Sequence, residues 1–448
     1  MKRLPPLFAL AALAACTASS AQVAPPRHDS YYPTALAVSP DGRWLFVLSA
    51  NSDLRYDSGT LQVLDLEQVD QAAEAAAQGL TPADARLAGC EQDPLVPSAM
   101  SCPTADDAGN PTRFAVAAAS VTLGNFGSSL GLQPLENPDG SPSAILRVFA
   151  AVRGDPSLTW ADFDPAAGQL DCGNAGDFPR CSQAHRIDTF RNDPDLGTLN
   201  SEPFTVAVDP AGEHVFLTHL TSGRVTLATA PVTVGSAPVL ADVLGGLFAP
   251  STQTGQVRAV GLAPRLPGDP TTPIYVTSSS EARIATVYVG AGERLVRGQA
   301  FAIGDLIADG LPGDTRGIVF SADGNQAYVV SRQPASLLVF DTSLGPTGVP
   351  ANRLVGSVEI CTQPSQLALG DFGDGPRAYL PCFATGELWV LDPVRRALVA
   401  AARPGRRAQV YVANYAEDTI AVVDAVPGSA TENHTILRLG RQRYLEKK

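Results

Sequence analysis

Hydrophobic and polar positions along this chain fall into short runs that recur as one unit. The unit is an apolar strand, a tight turn ending in Gly, a second strand, a small polar gap, and a third strand ending in Asp. The first copy reads Thr34-Ala35-Leu36-Ala37-Val38, Ser39-Pro40-Asp41-Gly42, Trp44-Leu45-Phe46-Val47-Leu48 and, after a loop, Gly59-Thr60-Leu61-Gln62-Val63-Leu64-Asp65. Runs of this length bounded by turn signals predict strands. Pro presets φ at the second turn position and Gly takes the left-handed conformation at the fourth, so Ser-Pro-Asp-Gly closes a hairpin. Variants occur at Asp209-Pro210-Ala211-Gly212, before Val215-Phe216-Leu217-Thr218, and at Ser321-Ala322-Asp323-Gly324, before Ala327-Tyr328-Val329-Val330. Several strands per period of roughly 40 to 50 residues read as propeller blades.

Aligning the second strand of each unit places blades at Phe46, Phe149, Phe216, Tyr275, Tyr328, Tyr379 and Tyr411. The expected fold is therefore all-β, a β-propeller of seven blades spanning residues 31–440. The early spacings are long, and an insertion is expected after the first blade over about residues 67–142. Its start, Glu67 to Gln78, is a run of good helix formers, and the Pro- and Gly-punctuated stretch from Cys90 to Pro142 reads as mostly loop. The last spacing is short, which predicts an incomplete last blade. Either Ala397 to Ala402 forms its inner strand, or the sixth blade gives up its outer strand, or a gap remains at the axis.

The units Tyr275-Val276-Thr277-Ser278 and Val410-Tyr411-Val412-Ala413-Asn414, the latter followed by Asp418-Thr419-Ile420-Ala421-Val422-Val423-Asp424, resemble the YVTN-repeat β-propeller family. The resemblance covers most of residues 31–440 and implies a fold. It implies no reaction, because propellers host many ligands and chemistries.

At the N-terminus Lys2 and Arg3 precede an apolar run from Leu4 to Ala15, which ends in Leu13-Ala14-Ala15-Cys16. A basic start, a short apolar core and small residues before the cut describe a secretory signal over residues 1–15. A Cys at the cut makes it a lipobox, with acylated Cys16 as the attachment to the lipid bilayer; the alternative is an ordinary signal peptide with a chance Cys. Thr17 after the Cys resembles the sorting rule for outer-membrane lipoproteins, periplasmic or surface facing. Residues 16–30 then read as the lipidated Cys and a tether. No other run reaches the 18 or so apolar residues that cross a bilayer.

Charged residues make up 17 % of the chain, with 40 Gly and 37 Pro, which suits a turn-rich β protein. The net charge of −13 becomes more negative once Lys2 and Arg3 are removed, and it argues against nucleic acid and anionic headgroups as partners. Arg supplies nearly all positive charge, and the basic end, Arg438 to Lys448 with the tail at 441–448, reads as solvated. Beyond Cys16, six cysteines fall into local pairs: Cys90 with Cys102, Cys172 with Cys181, and Cys361 with Cys382. Six thiols allow 15 connectivities, but an even number in an exported chain favours disulfides and short loops close most readily. A metal reading finds no C-x₂-C spacing and no His in a ligand pattern.

No haem-attachment, Walker, nucleophile-elbow or H-E-x-x-H motif occurs, so no cofactor is expected. Asp53 to Asp57, and Asp371 with Asp374, offer oxygen ligands for Ca²⁺, though turn chemistry explains them equally. Arg153-Gly154-Asp155 falls in a recurrent turn, which accounts for it better than an adhesion signal. Propeller geometry brings the loops between second and third strands, and those leading into first strands, onto one face. Candidate ligand-binding residues there are Asn51, Arg153, His219, Arg332 and Asn414 from the former, with Ser278, and Glu202 and Arg316 from the latter. Arg153 and Arg332 are equivalent in the repeat. A pair of Arg residues in a concave site can clamp a carboxylate or phosphate; alternatively each donates to carbonyls of its own loop. The missing catalytic grammar favours a module binding a small anionic ligand or an envelope protein over a propeller enzyme of the metal-dependent lactonase or lyase type.

Overall fold

The computed structural model describes residues 23–441 apart from 177, 192, 210–212, 252–253, 270, 304–312, 372–375, 395–396, 399–408 and 427. Cys16, the signal segment and 442–448 lie outside the described residues.

The repeated unit folds into antiparallel sheets ordered along the chain. The first contains Pro33–Val38, Trp44–Ser49, Gly59–Asp65 and, after an excursion, Ala115–Leu123. Gly127–Glu136, Pro142–Val152, Ser157–Asp164 and Gln169–Asp171 form a second antiparallel set, joined with the first into one nine-stranded sheet through the parallel pairs Gln169 with Ala118 and Arg180 with Thr122; the two sets are numbered here as the first and second sheets. Three four-stranded sheets follow, beginning at Pro203–Asp209, Ala259–Pro264 and Thr315–Phe320. The sixth runs from Ala368–Asp371 to Ala397–Leu398. The last contains Gln409–Asn414, Thr419–Asp424 and Thr435–Leu439. The turns form as their sequences require: Gly42 N–H and Gly324 N–H donate to the Ser39 and Ser321 carbonyls at 2.8 Å, with φ of 70° and 67°.

Second strands such as His214–His219 are buried on both faces, because each sheet is sandwiched between two others. Apolar clusters join every sheet to the next: Phe46 and Leu61 with Val148, Leu158 and Trp160 with Val215, Phe216 with Val276, Tyr275 with Val329, Tyr328 with Leu380, and Tyr379 with Val410. Leu45 and Val47 meet Ile420, Val422 and Leu437, which joins the last sheet to the first. A ring of radially stacked sheets results, and this is a β-propeller.

Two sequence expectations change. Ala115–Leu123 and Gly127–Glu136 are long strands, so the insertion is confined to 66–114 rather than reaching 142, and the loop reading of 90–142 fails over these strands. Small, Gly- and Pro-bearing strands carry little of the β-branched signal. The tether expected to residue 30 ends earlier, since His28, Asp29 and Ser30 are buried, with Gln62 Nε2 donating to Ser30 Oγ at 2.9 Å.

The insertion begins with the helix Leu66–Ala77, capped by Asp65 and buried through Leu66, Val69, Ala72 and Ala73 against the last sheet. It then supplies Glu91–Gln92 and Met100–Cys102, and the latter pairs in parallel with Thr435–Leu439. The first sheet thus lends strands to the last across the ring closure. Cys90–Cys102 ties this clip to itself, and Arg438 reaches Glu417 at 2.5 Å and Asp93 at 3.6 Å. The start of the basic end is therefore docked rather than solvated; Arg441 likewise donates to the Ala105 carbonyl. Ala397–Leu398 pairs with Glu387–Asp392 as the outer strand of the sixth sheet. Cys172–Cys181 and Cys361–Cys382 complete three local disulfides.

Candidate functional site

In five sheets the first strand opens in the same way. Its first residue pairs with the end of the second strand, Pro33 with Ser49, Gly127 with Val152, Pro203 with His219, Ala259 with Ser278 and Thr315 with Ser331, and a register shift follows at once. A bulge of this kind re-aims the side chain it carries. The residues at the shift are Thr34, Ser128, Phe204, Val260 and Arg316, around the mouth of the ring. Neighbouring sheets are laced here: Thr34 Oγ1 donates to Gly127 O at 2.8 Å and Ser128 Oγ to Phe204 O at 2.7 Å between first strands, and Thr277 Oγ1, from a second strand, donates to Arg316 O at 2.6 Å. Arg316 is the charged residue among these five.

Arg153 and Arg332 occupy equivalent backbone positions, as the repeat predicted. Arg153 N–H donates to Phe126 O at 3.2 Å and Arg332 N–H to Asp314 O at 2.7 Å, each just ahead of its own first strand. Their side chains reach across to the next sheet rather than into their own loop. Arg153 Nη2 donates to Glu202 Oε1 at 3.0 Å, with its guanidinium over the Phe204 ring. Arg332 Nε donates to the carbonyl of Pro364 at 2.7 Å. The residue of the sixth sheet equivalent to Glu202 is Gln363, since Leu220 N–H bonds Glu202 O and Phe383 N–H bonds Gln363 O. Among the described residues Arg332 therefore meets no carboxylate on that side.

The nearby acid, Asp314, belongs to Arg316, whose Nε and Nη2 contact Asp314 Oδ1 and Oδ2 at 2.6 and 3.0 Å. Burial, with the neighbouring Arg316 charge, lowers the Arg332 pKa, and Asp314 only partly offsets this. Among the described residues two guanidinium groups thus share one carboxylate, leaving a net positive charge there. A second anion is what this arrangement lacks.

Other sequence candidates are used in holding the fold. His219 is 0 % exposed; its Nε2 lies 2.8 Å from Thr226 Oγ1 and its Nδ1 3.2 Å from Ser201 O. Burial pushes its pKa down to about 4, so it is neutral and faces no ligand. Asn51 is fully buried with positive φ, its amide donating to Tyr56 O and Asn125 Oδ1 at 2.7 Å. Asn414 Nδ2 donates to Thr419 Oγ1 at 3.1 Å across its own hairpin. Ser278 Oγ bonds Arg258 O. Glu202 is committed to Arg153. Asp53 is held by Arg55, Asp57 by Ser58, and Asp155 by Arg186, which are turn and strut roles. Asp374 lies outside the described residues. Among the described residues no three His, Cys, Asp or Glu side chains converge as metal ligands. The sequence reading missed Asp314, although its place two residues ahead of Arg316 was visible.

No protein-family model and no curated protein matches this sequence. Solved structures are similar in chain path at low identity. A putative 6-phosphogluconolactonase from Bacteroides uniformis is 15 % identical with a TM-score of 0.49, covering 82 % of this chain and 83 % of that one. The periplasmic gluconolactonase PpgL of Pseudomonas aeruginosa is 17 % identical with a TM-score of 0.47, covering 82 % and 83 %. The Cps50 (Swd1) β-propeller domain of Myceliophteria thermophila is 12 % identical with a TM-score of 0.46, covering 88 % and 94 %.

Proposed function

We propose that this chain is a seven-bladed propeller lipoprotein, anchored through acylated Cys16 at the outer membrane of a bacterial envelope. It binds a small anion, or the acidic group of a protein partner, between Arg316 and Arg332. The blade count rests on dividing the nine-stranded sheet at its parallel contacts, Gln169 with Ala118 and Arg180 with Thr122. The anchor rests on Leu13-Ala14-Ala15-Cys16, and Cys16→Ser is expected to release the protein from the membrane fraction or leave it unprocessed; retention of an acylated, membrane-bound variant would refute it.

The observation that carries the binding role is the charge imbalance at the mouth. Arg316 takes both Asp314 oxygens, and Gln363 stands at the backbone position equivalent to Glu202, the partner of the equivalent Arg153. The site works by placement: the bulged strand fixes Arg316, and the Pro364 carbonyl fixes Arg332 Nε, which leaves its Nη groups to receive an anion without reorganisation. Titration calorimetry with inorganic phosphate and with succinate tests this. Arg332→Gln is expected to weaken the binding about tenfold, the equivalent of one lost charge-assisted bond. Equal affinity in wild type and variant, or no binding of either anion, would overturn the assignment.

A further inference from the structure

We propose that the face carrying Arg316 and Arg332 docks on the lipid bilayer through an arc formed by three neighbouring sheets, the sixth, the last and the first. The proposal rests on the acylation of Cys16 put forward above. The described chain begins on this face: the Val23 carbonyl accepts from Asp57 N–H at 3.1 Å, in the loop between the second and third strands of the first sheet. Only residues 17–22 separate Val23 from Cys16. Fully extended, that length of chain spans about 25 Å at most. An acyl chain at Cys16 therefore keeps this rim of the disc within about 25 Å of the membrane.

The surface next to that exit is suited to the contact. Leu54, in the same loop as Asp57, is 51 % exposed, Val23 is 53 % exposed, and Phe383, in the corresponding loop of the sixth sheet, is 66 % exposed. Between them, half-buried Tyr32 and Tyr415 pack with ring centroids 5.1 Å apart. Apolar tips flanked by tyrosines are the composition that favours the boundary between headgroups and acyl chains. The arc is held firmly, since Phe383 N–H bonds Gln363 O and Phe383 follows the disulfide-bonded Cys382. The carboxylates of Asp53 and Asp418 and the guanidinium of Arg55 lie beside Tyr32, so the arc there has no surplus of positive charge, and a zwitterionic bilayer is the partner it fits. With the disc resting on this side, the Arg316–Arg332 site opens toward the membrane surface, and its anion is one presented there. The opposite face also exposes apolar side chains, Leu344 and Val349 at 51 % and 52 %, but no tether leaves from it.

The test uses the acylated full-length protein in phosphatidylcholine vesicles, with a fluorescent residue at position 54, 383 or 344 and a spin-labelled lipid quencher at the headgroup boundary. Each is prepared with the natural tether and with about 20 Gly and Ser residues inserted after Ser20, enough slack to free the disc. Several-fold stronger quenching at 54 and 383 than at 344 is expected with both tethers, and combining Leu54→Ser with the reporter at 383 should reduce it. Equal quenching at the three positions, or an asymmetry that vanishes with the long tether, would overturn the docking while leaving the anchor intact. Protein that fails to float with vesicles would overturn the anchor and the docking together.

Discussion

The junction of the second and third sheets and the junction of the fifth and sixth are built on one backbone plan, and they end in different chemistry. Each presents an Arg in the same register, aimed at the lead-in of the following sheet. At the first, Arg153 finds Glu202, Phe204 lies under it, and the shift position holds Ser128. At the second, the shift position holds Arg316, the acid lies on the near side as Asp314, and the far side offers Gln363 and a carbonyl. Balanced charge makes the first junction a strut. Surplus positive charge at the second is what the proposed anion site rests on. Repetition in the sequence thus fixes where a side chain stands, while the residues of two different blades decide what it does.

The comparison breaks most severely if the second junction loses its brace. Cys361–Cys382 closes a loop of sequence separation 21 and holds the lead-in that carries Pro364. Replacing both cysteines with Ala should cost about 3 kcal/mol in the chain-entropy account, seen in denaturant unfolding, and should also weaken anion binding; the same change at Cys172 and Cys181 should leave anion binding unchanged. Next in size is acid. His219 lies against the first junction and is held neutral with a pKa of about 4, below the ordinary 6.5. A lowered value means that the unfolded chain takes up the proton first. The contribution is complete above about pH 6.5 and is lost as pH falls toward 4, up to about 3 kcal/mol. His219→Gln should flatten that slope, and a variant with an unchanged slope would contradict it. Smallest is Arg153→Ala: a half-exposed ion pair of this kind is worth up to about 1 kcal/mol, so stability should fall slightly and anion affinity should stay as it was.

Much of the ring was legible because its grammar is local. Ser39-Pro40-Asp41-Gly42 states its turn, Trp44–Ser49 states a buried strand, and the three cysteine pairs close short loops. The parts that were not legible depend on distant partners. Ala115–Leu123 reads weakly because its Ala-rich run gains its strand character from pairing with the buried strand Gly59–Asp65, some fifty residues away. Met100–Cys102 is three residues long and pairs in parallel with a strand more than three hundred residues away, so no periodicity announces it. The candidate site divided in the same way. The equivalence of Arg153 and Arg332 was visible in the repeat, whereas the burial of His219 and Asn51 and the sharing of Asp314 follow from side chains contributed by other strands.

The most direct test of the central claim is calorimetric titration of the full chain with inorganic phosphate and with succinate, comparing wild type, Arg153→Ala and Arg332→Gln under the same conditions. The charge imbalance predicts that Arg153→Ala binds like wild type and that Arg332→Gln binds about tenfold more weakly. Equal loss in both variants, or loss in Arg153→Ala alone, would show that the two junctions do not differ in the way their charges imply.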